Sequence, residues 1–219
     1  MLVRMHRLLL FSAAFIALGA TASAASVSYN TNFSFPLSPG SQNVSLPQFN
    51  PSLGTLVSVT LGLNANVQAQ VTAENDSTIG GNMGVDLTGI IKASGPSLTT
   101  NAAILQSAGP VAVGPTDGVG GSGPDFVNFG LISGSDSATN SLLSGLAPYI
   151  GLGNVSIAVS GNGGFAVNGV SNSTIQVSSF GANGIAEVTY NYNPVPEPGT
   201  LALAGMGALA LVAFARRRR

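Results

Sequence analysis

The stretch VSVTLGLNANVQAQVTAEN (57–75) alternates without a break. Every odd position from Val57 to Ala73 is apolar, and every even position from Ser58 to Glu74 is polar or glycine. Side chains of a strand point to opposite faces with period two, whereas a helix needs apolar residues three and four apart. The segment therefore reads as a half-buried β-strand. It runs well beyond the ~5–6 residues usual for a strand. A bulge near Gly62 or Asn64, or a passage from one sheet to another, is expected to accommodate that length.

The same alternation recurs in NVSIAVS (154–160), TIQVSSF (174–180) and AEVTYNY (186–192), where Ala186, Val188, Tyr190 and Tyr192 share a face. VSYNTNFSF (27–35) opens the body as a further strand. The prolines at 36, 39, 47 and 51 favour an extended or turn-rich path over helix. GNGG (161–164), NGVSN (168–172) and GANG (181–184) read as turns, and SAGPVAVGPTDGVGGSGP (107–124) as a loop. One short helical candidate, NSLLSGLAPY (140–149), is limited by Pro148. Residues 25–194 are thus expected to form one all-β domain, a β-sandwich that is either jelly-roll-like or Ig-like.

The chain has 219 residues, 7% of them charged, and no cysteine. Disulfide staples, thiolate nucleophiles and Cys-ligated zinc are excluded, and the core must form by burial alone. The charges are segregated. Arg4 and Arg7 lie at the start, Arg216 to Arg219 at the end, and between them the one basic residue is Lys92. The same interval holds Glu74, Asp76, Asp86, Asp117, Asp125, Asp136, Glu187 and Glu197, so one lysine stands against eight carboxylates. Nucleic-acid binding needs cations to neutralise phosphates, so no nucleic-acid partner is expected.

MLVRMHRLLLFSAAFIALGATASAA (1–25) has the parts of a secretory signal: a basic start, an apolar run from Leu8 to Ala20, and small residues at Ala22 and Ala24. Cleavage by signal peptidase is expected before Ala25, making 1–24 the signal. His6 is the one histidine and would leave with it. Imidazole-based nucleophilic catalysis is then not open to the exported body, and no enzyme activity is expected.

GGSGPDFVN (120–128) fits the calcium nonapeptide G-G-x-G-x-D-x-U-x, with Asp125 at the acidic position. A single copy is a weak calcium signal; the plain reading is a glycine turn leading into a strand from Phe126 to Phe129. Asp117 and Asp136 are candidates for further oxygen ligands. Glu74 and Asp76 are the nearest carboxylate pair and sit where the long strand ends, as in a solvated hairpin turn. Apart from this weak possibility of calcium, no cofactor is expected. Asn-x-Ser/Thr triplets at Asn32, Asn43, Asn75, Asn154 and Asn172 suggest an exposed, sugar-compatible surface.

The chain closes with VPEPGTLALAGMGALALVAFARRRR (195–219). Gly199 to Ala215 contains one polar residue, Thr200. As helix it would extend about 25 Å, and arginine stems can cover the difference from a ~30 Å hydrocarbon core. Arg216, Arg217, Arg218 and Arg219 after such a segment hold that end on the cytoplasmic side, as a stop-transfer signal. Pro196 and Pro198 lack amide N–H groups and keep the peptide around Glu197 extended.

The order of Val195-Pro196-Glu197-Pro198-Gly199-Thr200, apolar segment (199–215) and arginine cluster (216–219) resembles the PEP-CTERM sorting domain of Gram-negative bacteria. The resemblance implies recognition by exosortase, a multipass membrane enzyme, followed by tail removal and delivery to the surface or an exopolysaccharide matrix. In the body, LPQFNPSLGTLVSVTL (46–61), LAPYIGLGNVSIAVS (146–160) and AEVTYNYNPVPEP (186–198) are similar to the choice-of-anchor E domain of exported proteins. That family usually has Asp where this chain has Asn50, and it implies a β-rich exported domain with no settled activity.

The expectation is an exported, non-enzymatic surface or matrix protein, held transiently in the inner membrane and then released. Two alternatives stay open. One is a calcium-dependent carbohydrate-binding module or glycosidase built on Asp125, Asp117 and Glu74. The other is a permanently anchored envelope protein.

Overall fold

The computed structural model describes residues 24–37, 39–195 and 198–218, the backbone alone for 198–204. Eight strands follow in order: β1 (Ala25–Pro36), β2 (Gly40–Pro47), β3 (Gly54–Asn75), β4 (Gly81–Gly95), β5 (Leu98–Val113), β6 (Phe126–Leu142), β7 (Asn154–Asn168) and β8 (Ser173–Pro194). Short 3-10 turns occupy Pro51–Leu53 and Ala147–Tyr149, and helix α1 covers Pro198–Arg217. The helical expectation over 140–149 reduces to the second of these turns.

The strands make two antiparallel four-stranded sheets, ordered β1-β8-β3-β6 and β2-β7-β4-β5. β1 and β2 lie in different sheets, as do β2 and β3, and β8 returns to lie between β1 and β3. This is the jelly-roll arrangement of two Greek keys. The Ig-like option does not hold, because its early hairpins stay within one sheet.

β3 lies between β8 and β6 along most of its length. It stays in one sheet, and its register shifts against β8 fall between Leu56 and Ser58 and between Gln68 and Gln70, not at Gly62 or Asn64. The first shift changes which face a residue takes. Val57 is turned outward and is 46% exposed, while Leu56 and Ser58 are buried. From Val59 to Ala73 the odd positions fill the core as the alternation requires. They meet Met83, Val85, Leu87 and Ile91 of β4 and Ile157 and Val159 of β7 in one apolar cluster.

Two glycine clusters that read as turns lie inside strands instead. GNGG (161–164) falls in β7 and GANG (181–184) in β8, whereas NGVSN (168–172) does make the turn between them. A side chain at Gly163 would come within 2.6 Å of Thr88 O, and one at Gly184 would overlap Asn64 O. These glycines let backbones approach closely, a tertiary demand with no local signature. The 107–124 loop is likewise shorter than expected, because β5 continues to Val113. Gly109 and Pro110 sit at a register shift opposite Gly84, on an edge strand, where proline is tolerated.

Side chains close the open edges of the sandwich. The Ala103 N–H of β5 donates to Asp136 Oδ2 of β6 (2.8 Å), and Asn140 Nδ2 donates to Thr99 O (2.7 Å). On the other side Ser34 N–H donates to Gln42 Oε1 (2.8 Å). Each bond joins an edge strand of one sheet to an edge strand of the other and occupies backbone groups that would otherwise invite another chain. Asn50 caps the first 3-10 turn, its Oδ1 accepting from Ser52 N–H at 3.0 Å. An Asp there would supply the same acceptor.

Candidate functional site

The long strands give the body two ends, about 70 Å apart at roughly 3.3 Å per residue of β3. At one end, the base, Ala25 pairs with Tyr192 and Gly54 with Pro194. Val195 N–H donates to Leu53 O (3.1 Å) and carries the chain off the sandwich. The chain therefore enters the body from its N-terminal segment and leaves it toward the tail at the same end. Aromatic packing secures this base. Phe49 lies 5.9 Å from Tyr190 and 5.1 Å from Tyr192, and Tyr29 lies edge-on to Tyr190. Tyr190 Oη donates to Pro47 O (2.8 Å) and Tyr149 Oη to Pro96 O (2.9 Å). Burial pushes the Tyr149 hydroxyl up to about 12. It pushes Tyr190 up as well, with the neighbouring Tyr149 and Tyr29 adding to the shift.

Beyond Val195 the sorting residues Pro196 and Glu197 lie outside the described residues, as do Arg219, the side chains of Pro198, Gly199 and Thr200, and residues 1–23 with Ala22. Ala24 precedes β1, and Ala25 opens it. Helix α1 begins at Pro198, a position that tolerates a missing N–H, and Arg216 and Arg217 occupy its last turn, where cations favour the helix dipole. Met206, Leu209, Leu211, Val212 and Phe214 are all exposed. Among the described residues no helix is long and apolar enough to cross a membrane.

At the opposite, distal end the loop 114–125 folds over the close of β3. Asn75, fully buried, organises it. Its Nδ2 donates to Ile79 O (3.0 Å) and Gly114 O (2.8 Å), its Oδ1 accepts from Ser77 N–H (3.1 Å), and its own N–H donates to Asp125 O (2.9 Å). Asn75 is thus no surface acceptor, unlike the exposed Asn32, Asn43, Asn154 and Asn172. Alternation alone would have placed Asn75 on the core face; nothing local shows that its amide ties two loops together. Asn75→Ala removes three hydrogen bonds at a buried position and is expected to cost about 3 kcal/mol. A fall in melting temperature of about 6–12 °C in a thermal melt would register it.

Asp117 and Asp125 meet in this loop, and Glu74 holds a separate part of it. Gly121 N–H donates to Glu74 Oε2 (2.9 Å), Val119 N–H to Asp117 Oδ1 (2.8 Å), and Asp117 N–H to Asp125 Oδ2 (2.9 Å). Asp76 accepts from Thr174 Oγ1 of β8 (2.8 Å), and Glu74 and Asp76 are both half-buried, so the pair is tied to β8 and the 114–125 loop rather than freely solvated. Asp136 is not part of the group, being committed to the β5–β6 edge. Among the described residues no three His, Cys, Asp or Glu side chains are grouped to hold a metal.

No curated protein matches the chain. Among solved structures it is similar to one of Desmodium yellow mottle tymovirus, at 6% identity and TM-score 0.21, over 89% of this chain and 99% of that one. A structure of infectious bursal disease virus Gt strain gives 13% and 0.14, over 91% of this chain and 50% of that one. At such TM-scores the backbones overlap too little to bear on function. The family match is confined to the tail and does not extend to the body's resemblance to choice-of-anchor E. It covers residues 194–219, where the chain carries a PEP-CTERM protein-sorting motif, the signal for exosortase-dependent sorting to the cell surface.

Proposed function

We propose that this is an exported, non-enzymatic surface or matrix protein whose tail holds it in the inner membrane until exosortase removes it. The matched motif at 194–219 carries this reading. Its attachment at the base, beside Ala25, supports it. Signal peptidase and exosortase would both act at this one end, leaving the rest of the sandwich facing away from the membrane.

The apolar segment 199–215 serves as the temporary span in this reading. Exposed Leu209, Leu211, Val212 and Phe214 are better solvated by lipid than by water. The arginines that follow hold the far end on the cytoplasmic side. The body lacks His, Cys and Arg, which favours a structural or adhesive role. Its exposed asparagine, serine and threonine side chains offer hydrogen bonds to an exopolysaccharide. The intact mass and C-terminal peptide of the protein from producing cells test the proposal. The extracellular fraction is expected to hold chains ending near Pro196–Gly199. Chains ending in Arg216–Arg219, found in the membrane alone, would make the tail a permanent anchor and overturn it.

A further inference from the structure

We propose that the distal loop 114–125 binds a calcium ion between Asp117 and Asp125. Asp125 is fully buried, and its Oδ1 has no hydrogen-bond partner. Its Oδ2 has a single bond, from Asp117 N–H (2.9 Å). A buried carboxylate so poorly compensated is costly, and a cation is the usual remedy.

The orphan oxygen points where a second carboxylate already points. A Cβ built at Gly123 would overlap Asp117 Oδ2 and lie 2.9 Å from Asp125 Oδ1. Both oxygens therefore converge over the α-carbon of one glycine, held at φ +98, a conformation other residues rarely take. Asp117 and Gly123 are exposed, so the buried oxygen lies directly beneath the surface of the loop. Glu74 and Asp76 add negative charge to the same end.

No side chain of the body supplies the missing cation. Its one basic residue, Lys92, lies about 35 Å away along β4, at about 3.3 Å per residue from the Gly81–Val113 pair. That is far beyond the ~8–10 Å screening length. Two carboxylates balance one divalent ion. Calcium accepts six to eight oxygens in flexible geometry, so main-chain carbonyls of the glycine-rich loop and water complete the shell; magnesium demands a stricter octahedron. This is chemistry at the tip, independent of the sorting tail at the base.

Thermal melting of the full-length chain in detergent tests the site, with CaCl2 as probe and MgCl2 at equal ionic strength as control. At the ~0.1–1 mM affinity of extracellular modules, 10 mM CaCl2 is expected to raise the melting temperature by about 3–10 °C. Asp125→Asn is expected to abolish the shift without lowering the calcium-free melting temperature. An amide keeps the acceptor for Asp117 N–H and turns a donor toward Asp117 Oδ2. Asp117→Asn keeps the acceptor for Val119 N–H and is expected to reduce the shift severalfold, so it decides the matter if the first variant does not fold. A wild-type melting temperature unmoved by 10 mM CaCl2 overturns the proposal. So does an equal shift with MgCl2, or a calcium shift that survives in the variants that fold.

Discussion

Tyr190→Ala is expected to destabilise the body by about 4–5 kcal/mol, while Tyr190→Phe costs about 1–2 kcal/mol. The ring is fully buried between Phe49 and Tyr29, and its hydroxyl is bonded to Pro47 O. Truncation leaves a large cavity and an unpaired carbonyl; the phenylalanine variant loses the hydroxyl bond alone. At about 2–4 °C per kcal/mol for a chain of this size, melting temperatures should fall by about 8–20 °C and 2–8 °C. Equal falls would show that the ring packs loosely. The same burial fixes a pH window. Tyr149 and Tyr190 ionise later in the folded chain than in the unfolded one. Their contribution is therefore fully present below pH ~10, the unfolded value, and is lost as pH rises through about 12 for Tyr149 and beyond that for Tyr190.

Replacing Pro196, Glu197 and Pro198 together by alanine is expected to stop tail removal outright. Pro198 stands at the first helical position, where proline is tolerated, and a proline just before it, as at Pro196, opposes backward growth of the helix by about 3 kcal/mol relative to alanine in a helix interior. With alanine, α1 can grow back toward Val195, and the carboxylate of the proposed recognition sequence is gone. The expected result is a full-length chain in the membrane fraction and none outside the cell, read by fractionation and intact mass. Release of a shortened variant chain at the wild-type level would show that these residues are not what the sorting enzyme reads.

The strand character of 57–75 and the sorting tail were legible because both are local. A period of two is written in adjacent residues, and the tail signal is one contiguous run from Val195 to Arg219. The turn at 168–172 was legible for the same reason. Gly163 and Gly184 were misleading because a glycine that punctuates a turn and one that admits a neighbouring backbone look identical in sequence. The outward turn of Val57 depends on a register shift against β8, a strand more than a hundred residues later.

The acidic tip follows the same rule. Asp125 stood out by its place in a glycine motif. That its Oδ1 is buried and unpartnered, that Asp117 joins it and that Asp136 does not, are consequences of packing between distant segments. By itself the sequence determined an all-β body ending in a PEP-CTERM tail, since alternation and a contiguous signal need no partner to be read. The tertiary structure alone decided the jelly-roll order, the placing of Ala25 and Pro194 at one base, and the meeting of two carboxylates at the other end. Pairing between strands far apart in the chain is set by which registers bury the shared core, and no short window of residues contains that choice.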